Sequence, residues 1–101
     1  MIRRAIATYQ AAIEKKDIAL YRSVRPGLSA AEETRLRDSF RQGDSHVAIT
    51  IEEIRVQGRT ATVPVSRQDT IVNAGRRQTQ SSRQTIRLEK TGTTWIITEL
   101  R

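Results

Sequence analysis

The chain has 101 residues, of which 37% are apolar and 29% are charged, and it contains no cysteine. These values are typical of one globular domain, and they exclude disulfides and thiolate chemistry. The net charge of +7 would suit a nucleic-acid binder, but fifteen of the eighteen basic residues are arginines scattered along the chain. A solvated basic surface is therefore favoured over a nucleic-acid site. With a single histidine, neither a metal site nor another cofactor is expected.

The N-terminal stretch does not resemble a signal peptide, because Arg3 and Arg4 interrupt its apolar residues. No apolar run approaches the roughly 20 residues of a membrane-spanning helix. We therefore expect a cytoplasmic protein that has no membrane partner.

The first 42 residues predict three helices. Apolar residues spaced three and four apart indicate an amphipathic first helix with one buried stripe. Asp17 is placed to cap a short second helix, and Ser29 with Glu32 forms a capping box that opens the third. The predicted ranges are 2–16, 17–24 and 29–42. Because no capping residue precedes the first helix, we expect residues 1–101 to be a single domain excised from a longer protein with an upstream domain.

From Ser45 onward the apolar period changes from 3.6 to 2, which predicts strands. A phase slip at Glu52–Glu53 indicates a β-bulge in the first strand. Pro64 cannot donate a ladder hydrogen bond, so the second strand is expected at an edge or bulged there. The predicted strands cover 45–56, 60–72, 76–88 and 94–100. The predicted fold class is α+β, with three helices packed on a curved, four-stranded antiparallel sheet.

The order of these elements resembles the nuclear transport factor 2-like superfamily of cone-shaped α+β proteins, which includes the SnoaL-like polyketide cyclases and the ketosteroid isomerases. The residues that carry the resemblance are Tyr9, Lys16–Asp17, the hairpin 58–63 and the segment 92–97. The resemblance implies a pocket between the helices and the concave sheet face, and a dimer through the convex face. Only residues 25–28 separate the second and third helices, too few for the hairpin that helps to close the pocket in many members.

Four aromatic residues, Tyr9, Tyr21, Phe40 and Trp95, could line a pocket for a small apolar ligand. The interpretation favoured by composition is that they form the core. The acid/base candidates are His46, Asp69 and Glu99, and His46 is the one retained as a catalytic candidate. No pair among them has a spacing that indicates a catalytic dyad. A surface role is favoured for His46 and Glu99, and Asp69 is interpreted as a solvated or arginine-paired carboxylate.

Two further sets of residues are candidates for binding. Arg77, Arg83 and Arg87 share strand parity and could form an anion-binding surface, although an exposed strand that resists aggregation is favoured. In the closing strand, Trp95 and Ile97 occupy one face, and we assign Ile96, Thr98 and Leu100 to the other as a dimer interface. A strand that is apolar on both faces needs a cover on both sides, and a second copy of the chain would supply one.

The function favoured by the sequence is a non-catalytic association or small-ligand-binding module that forms a homodimer through its sheet, at the end of a larger bacterial protein. The alternative is a pocket enzyme of the isomerase, cyclase or dehydratase type. A third alternative is a basic surface that binds nucleic acid or an acidic partner.

Overall fold

The computed structural model describes residues 2–101 and contains three helices followed by five strands, which confirms the predicted α+β class. The helices are α1 (Ile2–Lys15), α2 (Ile18–Val24) and α3 (Ala30–Arg41). The strands are β1 (Asp44–Ile51), β2 (Arg55–Gln57), β3 (Thr60–Asn73), β4 (Arg76–Thr91) and β5 (Thr94–Leu100). Among these residues, no helix has both the length and the apolar character needed to cross a membrane.

Both predicted helix caps are present. A side-chain oxygen of Asp17 accepts a hydrogen bond from the Leu20 backbone at 3.0 Å, and the Ser29 hydroxyl accepts one from the Glu32 backbone at 3.1 Å. The capping box at α3 is only half formed, because the Glu32 carboxylate binds Arg25 instead of turning back to the cap. The local sequence signal therefore predicted the start of α3 correctly. The second hydrogen bond of the capping box is absent because Glu32 makes a tertiary contact with Arg25 instead.

The antiparallel sheet has the order β1-β3-β4-β5, and the short strand β2 also pairs with β3. The predicted bulge near Glu52 is present, since residues 52–54 lie opposite only two residues of β3, and it divides one predicted strand into β1 and β2. The expectation that Pro64 marks an edge strand is wrong, since β3 lies inside the sheet. The alternative of a bulge there is confirmed, because the pairing of β3 with β1 and β2 shifts by one residue opposite Pro64. Pro64 is tolerated because it lies opposite the interruption, where its carbonyl accepts from the Glu52 amide at 3.0 Å.

A β-bulge in the closing strand changes the predicted side-chain pattern. Ile97 pairs with Leu88, but Leu100 pairs with Ile86, so the strand contains one extra residue between them. Leu100 therefore faces the helices and packs against the core, and it does not share a face with Ile96 as expected. Strict alternation failed here because a bulge reverses the parity of every residue that follows it.

The core lies between α1, α2 and one side of the sheet. Its best-buried members, all from β3, β4 and β5, are Ile86, Leu88, Ile97, Val63 and Val65. Among residues 2–101 no element covers the opposite side of the sheet, which we call the outer face. The molecule is thin for its length, with extents of 46 × 28 × 19 Å. One face of the sheet thus builds the core and the pocket, while the other stays available to solvent or a partner.

Candidate binding pocket

A cavity of about 400 Å³ lies between the three helices and the helix-facing side of β3. Its apolar walls are provided by Ile13, Leu36, Phe40 and Ile71, together with the rings of two tyrosines. The Tyr9 and Tyr21 rings are in contact, with centroids 5.6 Å apart and planes inclined by 53°. A cavity of this size with mostly apolar walls and a few polar groups suits a small organic molecule.

The floor of the cavity carries an ion pair formed by Arg67 and Asp69, two residues apart on β3. Arg67 Nε donates to both carboxylate oxygens of Asp69, at 3.0 and 2.9 Å. Arg67 Nη1 donates to the Tyr9 hydroxyl at 2.5 Å and to Gln84 Oε1 at 3.2 Å. The side chains of Arg67 and Asp69 are only 17% and 30% exposed. These contacts fix the guanidinium in place, as a binding site needs.

A second polar cluster joins α2 to α3 at the wall of the cavity. Arg25 donates to both carboxylate oxygens of Glu32, at 2.7 and 2.9 Å, and the Tyr21 hydroxyl donates to the same carboxylate at 3.4 Å. Burial, aided by the neighbouring Tyr9 and Glu32, raises the pKa of the Tyr21 phenol well above its ordinary value. Tyr21 therefore stays neutral at physiological pH and serves as a hydrogen-bond donor.

The rim of the cavity is formed largely by α3, which has no fully buried side chain. Leu36 and Phe40 turn inward and are partly buried, whereas Arg35 and Ser39 line the mouth and are exposed. α2 and α3 are joined by residues 25–29 without an intervening strand. The cavity is therefore covered on this side by one loosely packed helix, in agreement with the expectation of a less enclosed pocket.

No protein-family model and no curated protein matches the sequence. Among solved structures, the chain is similar to a putative dehydratase from the NTF2-like family of Streptomyces avermitilis, with a TM-score of 0.86 and 16% identity over 99% of this chain and 91% of that one. It is also similar to an NTF2-like superfamily protein from Salmonella enterica, with a TM-score of 0.80 and 21% identity over 99% and 85% of the two chains. The chain has the nuclear transport factor 2-like fold.

The chain is also similar to the association domain of C. elegans CaMKII. Its TM-score is 0.71, and the 18% identity extends over 98% of this chain and 89% of that one. All of these identities are below a quarter, so the similarity establishes the fold and leaves the function to the residues of the site.

Three of the four predicted pocket aromatics line the cavity. Tyr9 and Tyr21 do so while also belonging to the buried core, and Phe40 approaches from α3. Trp95 does not reach this cavity. It is 9% exposed and borders a separate groove, where the β4–β5 turn meets the start of α1.

Arg67 was missed in the sequence analysis, although a signal for it was present. The alternation of buried Val63 and Val65 on β3 continues to residues 67 and 69, which predicts that all four face the helices. Polar residues that continue an inward-facing apolar row are candidates for a site, and here they form the floor of the pocket.

The remaining acid/base candidates lie outside the cavity interior. His46 is at the rim with its side chain 65% exposed, and its Nδ1 atom is 3.9 Å from Glu14 Oε2. Glu99 pairs with Arg101 and Arg87 on the surface, and the hydrogen bond from Arg101 lowers the pKa of its carboxyl group. The geometry brings neither residue to the Arg67–Asp69 pair.

The predicted arginine set does occupy one side of β4, because residues 77, 83 and 87 alternate outward. Residues 77 and 83 are six positions apart, about 20 Å along an extended strand, and residues 83 and 87 are four positions apart, about 13 Å. The three side chains therefore do not converge on one point. Arg83 already binds Glu52, and Arg87 lies 3.6 Å from Glu99. This placement favours isolated surface ion pairs over a single anion site.

Proposed function

We propose that the protein binds a small, mainly apolar ligand in the cavity between the helices and β3. The observation that carries this proposal is the combination of an aromatic cavity with a fixed, partly buried ion pair at its floor. Such an ion pair contributes little to stability, because desolvation offsets most of its Coulomb energy. A function in orienting a ligand accounts for its presence in an otherwise apolar wall.

Binding without catalysis is favoured over the enzyme alternative. His46, which the sequence offered as a catalytic candidate with a surface role favoured, is exposed at the rim and has its nearest carboxylate partner on α1. Among residues 2–101, Asp69 is the only carboxylate on the floor, and both of its oxygens accept from Arg67, which holds it in the ion pair. Glu32, a second carboxylate that lines the cavity, is likewise held by Arg25, so the arrangement is better suited to holding a ligand than to transferring protons.

The test uses N-phenyl-naphthylamine, a neutral aromatic probe whose fluorescence rises in apolar surroundings, excited above the absorption band of tryptophan. We expect saturable binding to the native protein. The variant Leu36→Trp fills the cavity from α3, where side chains are only partly buried, and should weaken probe binding by about tenfold. Arg37→Trp is the matched control, because Arg37 is exposed and does not line the cavity. Equal affinities in the two variants, or no saturable signal, would contradict the proposal.

A second function, pairing of two copies through the outer face, is favoured by the composition of that face. Its centre consists of small or neutral polar side chains with one arginine: Ala48, Thr50, Ser66, Gln68, Ser81 and Arg83. Small side chains on a broad, regular sheet permit close approach of an identical surface. Ile96, half-buried on the same side of β5, adds an apolar contact. We expect Thr98, at the bulge, near the margin of such an interface.

A further inference from the structure

Some of the hydrogen-bond donors of Arg67, on the cavity floor, are used by neighbouring residues and others are not. A guanidinium has five N–H donors, and three of those in Arg67 are used by Asp69, Tyr9 and Gln84. The remaining two are on Nη2, which donates to no group among residues 2–101. Arg67 lines the cavity, so these donors are available to a ligand.

Tyr9 provides a third available donor. Its hydroxyl oxygen accepts from Arg67 Nη1, and its own hydrogen has no acceptor within the described part of the chain. Since the hydroxyl and Nη2 belong to groups in direct contact, one ligand oxygen can accept from both. Asp69, on the other side of the guanidinium, retains free lone pairs on its carboxylate and can accept from a ligand donor.

The charges on the floor exclude an anionic group as the best match. Asp69 neutralises Arg67, so the floor has no net charge with which to stabilise a buried anion. A ligand carboxylate would also bring its oxygens towards those of Asp69, and like charges at such distances repel. A neutral group with a hydrogen-bond acceptor next to a donor avoids both the cost of burying an anion and the repulsion from Asp69.

We infer that the pocket recognises a neutral ligand in which a carbonyl oxygen stands beside an N–H or O–H donor on an aromatic or cyclic apolar body, as in a carboxamide or lactam. The carbonyl oxygen accepts from Arg67 Nη2 and the Tyr9 hydroxyl, and the neighbouring donor binds Asp69. The ring system packs between Tyr21, Phe40 and Leu36. This inference depends on the proposed function, because it specifies the ligand chemistry of the same cavity.

The test compares three naphthalenes substituted at the same ring position, a carboxamide, a carboxylate and a methyl derivative, as competitors of N-phenyl-naphthylamine at neutral pH. On the native protein, we expect the carboxamide to displace the probe at about one tenth of the concentration that the carboxylate needs. In Asp69→Asn, Arg67 is no longer neutralised, so the preference should shift towards the carboxylate by about tenfold or more.

A second variant keeps the inference testable if Asp69→Asn does not fold. Tyr9→Phe removes one donor without changing the ring, and it should weaken the carboxamide by about fivefold while the methyl derivative binds as before. Equal or tighter binding of the carboxylate by the native protein would overturn the inference while leaving the proposed function standing. Absence of probe binding would overturn both.

Discussion

At the scale of single residues, Gly43 occupies a position where the backbone does not allow a side chain. Gly43 joins α3 to β1 with a φ of +141°, and a Cβ atom there would lie 2.4 Å from the Val72 carbonyl oxygen. Both the conformation and the space therefore require glycine. Gly27, in the α2–α3 connection, has open space around its Cα atom and no positive φ.

We expect Gly43→Ala to lower the free energy of unfolding by about 2–3 kcal/mol, because the backbone would have to move away from β3. Gly27→Ala is the matched control and should change it by less than about 0.5 kcal/mol. Urea unfolding of the two variants and the native protein measures both values. Similar stabilities for the two variants would show that the α3–β1 connection adjusts without strain.

At the scale of elements, α3 is the least firmly held of the three helices. None of its side chains is fully buried, so tertiary packing contributes less to it than to α1, which buries six residues. Its strongest specific contact is the two-pronged hydrogen bond between Arg25 and Glu32, whose side chains are 14% and 22% exposed. This pair fixes the helix that forms the mouth of the pocket.

We expect backbone amides of α3 to exchange with solvent faster than those of α1, and Glu32→Gln to raise the α3 rate by about tenfold, because Arg25 loses its charged partner. Asp38→Asn removes an exposed pair with Arg41 on the same helix and should change little. Hydrogen exchange followed by mass spectrometry gives both rates. Equal effects of the two substitutions would mean that the Arg25–Glu32 pair does not hold α3.

At the scale of the whole molecule, the sheet has one face covered by helices and one uncovered. Because the helices cover only one side of the sheet, the outer face is exposed on a molecule 19 Å thick. Its small polar side chains allow two copies to approach about a two-fold axis, and each substitution in that face would then act twice.

We expect the native protein to sediment as a dimer at micromolar concentration, and Ser81→Arg to raise the dissociation constant by at least about tenfold, because two added charges would meet across the axis. Thr34→Arg adds the same charge to the exposed surface of α3 and should leave association unchanged. A native protein that sediments as a monomer at high micromolar concentration would rule out this interface.

Much of the fold could be predicted because its signals are local. The cap residues Asp17 and Ser29 defined two helix starts, and the change of period after residue 44 separated helices from strands. Glycines with positive φ marked the hairpin turns. Such signals depend on residues a few positions apart, whose conformational preferences are the same in the unfolded chain.

The sequence by itself determined the order of the elements, the caps and the inward-facing row of β3 that includes Arg67. Only the tertiary structure decided which distant residues meet. Arg67 and Tyr9 are 58 positions apart, and no local rule relates them. The bulge that turns Leu100 into the core and the interruption that accommodates Pro64 likewise depend on neighbouring strands. Pairing across a sheet sets register and parity, and a pocket assembled from three helices and a strand exists only after that register is fixed.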